Sequence, residues 1–238
     1  MPQARSLREL MARRRGDAYR PPAPPTPPVS GTKSNVSLAF ARSLTTWNQR
    51  RRRMGDGAVG KQGEDAIAQG KRIEAELRTA LRDQHYEHAL DFGCGWGRFS
   101  SLLVEHCQHL WSIDMFDDWV DRAASHPTVS GITLNAPQLP FDSQSMNLIV
   151  DIMTFQSIDQ DILKEHYATE LLRIAAPGAK FISLTKTDDK WSMQRLPLAL
   201  RLASDGDRRC WQPAAQIDEV DDSEAGGYNL LVGEIGSM

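Results

Sequence analysis

At 238 residues, with 40% hydrophobic and 25% charged residues, the chain can bury one α/β-sized core and carry an appendage. No apolar run reaches the roughly 18 residues of a membrane span. The three cysteines (Cys94, Cys107, Cys210) are odd in number and lack paired short spacing, which argues against a disulfide framework or a zinc site and for a reducing, cytoplasmic setting.

The formal net charge of −3 conceals an asymmetry. Residues 1–53 carry twelve Lys and Arg against two acids, Glu9 and Asp17, a balance of +10, so the remainder carries −13. Between its arginine clusters lies PPAPPTPP, residues 21–28, which proline holds extended because its φ is fixed and it lacks an N–H donor. This composition predicts that residues 1–53 are a basic, Pro-rich arm outside a globular domain spanning 54–238. Clustered arginines suit a nucleic acid or an acidic protein surface; a solvated tail is the plainer reading. The basic N-terminus has no continuous apolar segment after its arginines, so a secretory signal is not expected, whereas an Arg-rich transit peptide stays open.

From residue 64 onward the pattern alternates. Glu64 to Arg82 puts Ile67, Ile73, Leu77 and Leu81 on one helical face. A short apolar run at 88–92 leads into Gly93, Gly95 and Gly97, and apolar positions at helical spacing follow from about 98: strand, tight glycine loop, helix. The glycines allow positive φ and close approach of a ligand, and free N–H groups at a helix start favour a polar or anionic group. Further strands are expected at 109–113, 131–134, 147–153 and 180–185. Helices are expected from about 117, over about 160–175 and near 192–203. AAQIDEV and YNLLVGEI read as a late antiparallel hairpin. Helices between consecutive strands imply a doubly wound, mostly parallel, Rossmann-like sheet of seven strands with an antiparallel C-terminal edge hairpin.

Spacing separates two tenants of such a loop. A dinucleotide fingerprint needs G-x-G-x-x-G, but counting from Gly93 its last position is Arg98. The chain instead reads D-x-G-x-G-x-G, through Asp91, Gly93, Gly95 and Gly97, with Cys94 inside the loop as small packing. This resembles motif I of the class I S-adenosylmethionine (SAM)-dependent methyltransferases, with a leaning toward their small quinone-biosynthesis-like branch. The resemblance runs for about 145 residues. It implies SAM as cofactor, with Asp114, 23 residues after Asp91, as the ribose acid. Met115 and Phe116 fall where family members pack the adenine. LNAPQLPF resembles G-D-A-x-x-L-P-F, with Asn135 in place of the usual aspartate at the adenine amino group and the Ala136 N–H toward a ring nitrogen. LLRIAAPGAKFIS is similar to the family's helix, Pro-Gly turn and fifth strand.

Methyl transfer needs an acceptor held about 3 Å from the sulfonium methyl and in line with it. A base is needed only for a poorly nucleophilic acceptor. TFQSI, residues 154–158, stands where relatives often carry L-H-H-I or L-E-H-I. Gln156 can position an acceptor but cannot take its proton. Asp151 is then the candidate base, although a carboxylate lining the SAM amino group is the favoured role for it. The [D/N/S]-P-P-[Y/F] motif of amino-group DNA methyltransferases is absent, and no cysteine follows the fourth strand for covalent C5 chemistry. No metal site is expected, because the six histidines show no ligand spacing with the cysteines. The resemblance therefore implies an enzyme that methylates an unidentified acceptor, a small molecule slightly ahead of nucleic acid or protein. The competing reading is a non-catalytic SAM-fold module tethered by its arm within a larger assembly.

Overall fold

The computed structural model describes residues 33–55, 64–186, 188–196, 202–203, 213–217 and 228–235. Five strands run parallel in the order β3-β2-β1-β4-β5: β1 (Tyr86–Phe92), β2 (Cys107–Asp114), β3 (Val129–Thr133), β4 (Met146–Ile152) and β5 (Ala175–Lys186). β8 (Tyr228–Ile235) adds antiparallel to β5. The outer edge of β8 is shared by two short strands, β6 (Leu202–Ala203) and β7 (Pro213–Ile217), both antiparallel to it. The expected seven positions across the sheet are thus filled by eight strands. The late hairpin exists as β7 and β8, with β8 inserted between β5 and the edge.

Period-2 alternation in the central strands separates two cores. Leu90, Phe92, Ile113, Ile149 and Phe181 face one side. Ala89, Leu110, Leu148, Val150 and Ile182 face the other. The second face is covered by α2 (Glu64–Leu81), whose Ile73, Leu77 and Leu81 are fully buried. The first is covered by α6 (Asp161–Ile174) and, in addition, by α1 (Lys33–Met54), which packs against α6 and buries Ala39 and Phe40 in the same cluster.

That helix corrects the expected arm. Residues 33–54, read as part of an extended basic segment, form 22 residues of helix seated on the domain. Val36, Ala39, Phe40, Ser43, Leu44 and Trp47 recur at intervals of one, three and four and supply an apolar stripe, whereas the six basic residues of the helix dominate its composition and hide that stripe. Residues 1–32, including the proline stretch, lie outside the described residues.

Two smaller expectations change. Pro177–Gly178 lies within β5, at an irregularity where the register with β4 slips between Met146 and Leu148, with Gly178 at φ +73°. Of the helix expected near 192–203, the described residues form a π-helical turn, Trp191–Arg195, and Leu202–Ala203 is strand; residues 197–201 lie outside the described residues. Among the described residues no helix is long and apolar enough to cross a membrane.

Candidate functional site

A cavity of about 1100 Å³ opens at the carboxyl ends of β1, β2, β4 and β5, the crevice where open parallel sheets bind ligands. Its floor is the loop after β1. There Gly93, Gly95 and Gly97 have φ of +73°, +51° and +80°, a conformation that a Cβ disfavours. The two outer glycines also make room for protein. A Cβ on Gly93 would collide with Thr154 Oγ1, and one on Gly97 would meet Ala123 Cα at 2.5 Å. Gly93, Cys94 and Gly95 line the cavity; Gly97 does not. Its glycine seats the loop on α4 (Asp117–Ala123) rather than against a ligand.

The amides of this loop are already engaged. The N–H groups of Gly93 and Cys94 both donate to Ile113 O at 2.9 Å, that of Gly97 donates to Cys94 O at 3.0 Å, and that of Gly95 donates to Asp114 Oδ2 at 3.0 Å. The following helix, α3 (Ser100–Leu103), is one turn continued by a 3-10 turn, Val104–His106. The anion-cradling amides expected from the sequence are therefore used internally. What the cavity floor offers instead is negative: Asp91 and Asp114 line it, and Asp151 lies buried behind it.

Asp114 ends β2. Its Oδ1 accepts the Met115 N–H at 2.7 Å, and Gly95 holds Oδ2. Burial nevertheless pushes its carboxyl up to about 6, against the opposing pull of those backbone donors. Burial also lifts Asp91 to about 7, and the neighbouring Asp114 charge adds to the rise. Desolvated carboxyls of this kind are relieved by a cation, not by an anion. Met115 and Phe116 line the wall beside Asp114, as expected from the resemblance. The Cys94 thiol is buried, its Sγ lies 3.3 Å from Gly95 O, and burial raises its pKa, which disfavours the thiolate.

Asp151 does not reach the cavity. It is 1% exposed, takes the Ser183 hydroxyl at 2.6 Å on Oδ2 and the Thr154 and Phe155 N–H groups at 2.9 and 3.3 Å on Oδ1. It fastens the short turn α5 (Thr154–Ser157), entered through Met153 in the left-handed region at φ +66°. Burial pushes its carboxyl up to about 6. Its oxygens are thus taken up by structural hydrogen bonds, away from the cavity wall. Gln156 does line the cavity; its Oε1 accepts the Lys186 N–H at 2.7 Å. Asn135 and Ala136 are exposed and off the cavity wall, and Asn135 Nδ2 donates back to Thr133 O at 3.4 Å. Leu134, whose N–H donates to Asp114 O at 2.7 Å, faces the cavity in their stead.

The segment from Phe40 to Trp47, which the sequence left as a candidate cover for the acceptor, lies over the site as part of α1. Trp47 lines the cavity, donates from Nε1 to Ser157 O at 3.3 Å and meets the Trp119 ring edge-on. Arg51 lies over Phe116 and Trp119, 4.3 and 4.6 Å from their ring centroids, and pairs with Asp118 at 2.5 Å. The helix thus roofs the pocket from the start of α4 across to residues 157–159, where Thr46 Oγ1 donates to Asp159 Oδ2 at 3.3 Å. The spacing of Phe40, Leu44 and Trp47 is the signal that reveals it.

Residues 90–183 match a family model described as a methyltransferase domain. No curated protein sequence matches the chain. Among solved structures, the chain is similar to N-methyltransferase NodS from Bradyrhizobium japonicum WM9 in complex with S-adenosyl-l-homocysteine (TM-score 0.55, 16% identity, 84% of this chain and 98% of that one). It is also similar to the PH0226 protein from Pyrococcus horikoshii OT3 (TM-score 0.52, 16% identity, 73% and 92%) and to the cyclase SpnF (TM-score 0.52, 14% identity, 71% and 82%). These likenesses establish the fold. A cyclase among them illustrates that one fold hosts different reactions.

Proposed function

We propose that the chain, whose residues 90–183 match a methyltransferase-domain model, binds SAM in the cavity beneath α1 and transfers its methyl group to a small-molecule acceptor. The observation that carries this reading is the pairing of engaged loop amides with desolvated Asp91 and Asp114. A glycine loop built for phosphate keeps its N–H groups open; this one turns them inward and presents carboxyls, the donor set for a ligand bearing ammonium and sulfonium charge.

When bound, SAM supplies an electrophilic methyl on a sulfonium whose departure needs no protonation. The chain's own work is positional. Asp114 accepts the ribose hydroxyls. Met115, Phe116 and Leu134 enclose the adenine, with Trp47 above. Asp91 and the Gly93–Gly95 backbone hold the amino-acid end. Gln156, with Oε1 fixed by Lys186 N, offers its Nε2 to orient the acceptor. With Asp151 buried in structural hydrogen bonds, the acceptor is one that is nucleophilic without a protein base.

The α1 roof favours a small acceptor, since it covers the crevice that a folded macromolecule would have to enter. A cavity of about 1100 Å³, just above the range of roughly 300–1,000 Å³ for small-molecule sites, has room for cofactor and acceptor together. A second reading, that a polyanion docks beside the mouth, rests on Arg42, Arg50, Arg52 and Arg53, which stay exposed on α1. Binding of single-stranded RNA that weakens steeply with salt would support it. The cofactor reading is tested by calorimetry on the full chain. Asp114→Ala should lose about 1.5–3 kcal/mol of SAM affinity, the range for a hydrogen bond to a charged group, and unchanged affinity refutes the assignment.

A further inference from the structure

The cavity extends along the sheet past the ends of β1 and β2. On its far side it is lined by Ile152 and Met153 at the end of β4, Lys186 at the end of β5 and Tyr228 at the start of β8. Ile73 of α2 joins Ile152, Met153 and Tyr228 in one apolar cluster, so this side is walled by hydrocarbon and a phenol ring. Gln69 is set into that wall. It stands one turn before Ile73 on the same face of α2. It lines the cavity and is only 5% exposed, yet its amide makes no hydrogen bond among the described residues. A buried amide without a partner is costly, and native structures seldom leave one. Gln156 adds a second amide, whose Oε1 is held by the Lys186 N–H at 2.7 Å while Nε2 is left to donate. The charges on this side are exposed or engaged. Asp159, Lys186 and Asp188 are exposed; the Asp189 carboxylate takes the Ser192 hydroxyl at 2.6 Å; Arg98, which lies across Gly70, has an interaction of its own.

We propose that this side of the cavity takes an uncharged aromatic heterocycle, methylated on a ring nitrogen, and that Gln69 is the residue that selects it by hydrogen-bonding its polar edge. The inference rests on the reading of the cavity as a SAM site. A subsite whose buried polar groups are amides suits an uncharged head, because a buried ion needs a counter-charge. No histidine lines the cavity, and Asp151 is fastened by Ser183 and Thr154, so the nucleophile must offer a lone pair while neutral. Alcohols and thiols need a base, alkylamines are protonated, and amide nitrogens are delocalised. A trigonal ring nitrogen keeps its in-plane pair. That pair forms the N–C bond as the C–S bond breaks, the C–S electrons pass to sulfur, and S-adenosylhomocysteine leaves as a neutral thioether. The positive charge moves from sulfur to the ring, so the cavity gains no charge and needs no new counter-ion. A ring that also carries an N–H gives that proton to water after release.

The test is S-adenosylhomocysteine formation by the full chain from SAM and four probes: benzimidazole; indole, which has the same shape without a free ring lone pair; para-cresol; and benzylamine. Benzimidazole should be turned over with kcat/KM about tenfold or more above the other three. Gln69→Leu keeps the bulk and removes the amide. It should raise KM for benzimidazole by about tenfold, while SAM affinity by calorimetry stays within about twofold and the melting temperature holds. Gln69→Asn keeps an amide and should recover part of the loss. Preferred methylation of para-cresol or benzylamine, no product from benzimidazole while SAM still binds, or an unchanged KM in Gln69→Leu overturns the proposal and leaves the cofactor site standing. A loss of SAM affinity in Gln69→Leu equal to the rise in KM also overturns it, by assigning Gln69 to the cofactor. Failure of the wild type to bind SAM overturns the cofactor reading itself, and this inference with it.

Discussion

Replacing Gly97 by alanine isolates what the third glycine of the loop does. At φ +80° an L side chain pays backbone strain of roughly 1–2 kcal/mol. The new Cβ would also stand 2.5 Å from Ala123 Cα and 2.8 Å from its Cβ. The obstacle is helix backbone, which cannot rotate away, so overpacking adds about 1–3 kcal/mol. The sum is about 2–5 kcal/mol, and at roughly 2–4 °C per kcal/mol for a domain of this size the melting temperature should fall by about 4–20 °C. Gly178→Ala is the matched control. It has φ +73° and nothing within 4 Å of the added Cβ, so only the strain of about 1–2 kcal/mol applies. Urea unfolding of both variants gives the difference directly. Equal destabilisation of the two would refute the role assigned to Ala123. Gly97 does not line the cavity, so the folded fraction of Gly97→Ala should still bind SAM.

Deleting residues 1–32 should leave SAM affinity unchanged, whereas deleting 1–54 removes Trp47 and Arg51 and should weaken it by about tenfold, or about 1.4 kcal/mol; equal calorimetric affinities for the two truncations would remove the roof from the site. The second expectation concerns pH. Asp91, Asp114 and Asp151 all have folded-state pKa values raised above the ordinary carboxylate value, to about 7, 6 and 6. Their contribution to stability is therefore full below pH about 4 and is lost as pH rises through 6 to 7. Thermal melts of the ligand-free chain should fall between pH 5 and 8, less steeply for Asp151→Asn; a dependence identical in wild type and variant would contradict the burial argument.

What could be read from the sequence was what is local. The β1 strand, glycine loop and β2 acid are contiguous enough that spacing alone brings Asp91, Gly95 and Asp114 together, and the Gly95 N–H to Asp114 Oδ2 bond closes that unit. What failed depended on which way a residue turns. Asp151 sits one residue from Val150, so it points with Ile149 to the opposite side of the sheet from Ala89 and Asp91, and there it meets Ser183 and the α5 amides. Leu134 and Asn135 show the same one-residue sensitivity, because the hydrogen bond from Leu134 N to Asp114 O turns Leu134 inward and its successor out. The α1 helix failed for a different reason. Its stripe covers a sheet face assembled from strands 50 to 150 residues later, and composition carries no trace of a contact that distant.

Arg51 shows why the count of charges in residues 1–53 could not by itself name a partner. Its guanidinium is partly buried over Phe116 and Trp119, is paired with Asp118, and lowers the pKa of Asp114 against the effect of burial. One charge of the basic segment therefore works inside the domain, on the carboxylate proposed to hold the ribose. The same contact ties the roof to the ligand wall. Anything that draws Arg51 away from Asp118 loosens α1 and raises the energetic cost of an ionised Asp114 together. The basic helix α1 and the acidic sheet end are thus not separate units of opposite sign. Across the pocket they form one electrostatic unit, and the charge asymmetry of the sequence is in part the complementarity of a helix and the sheet end it covers.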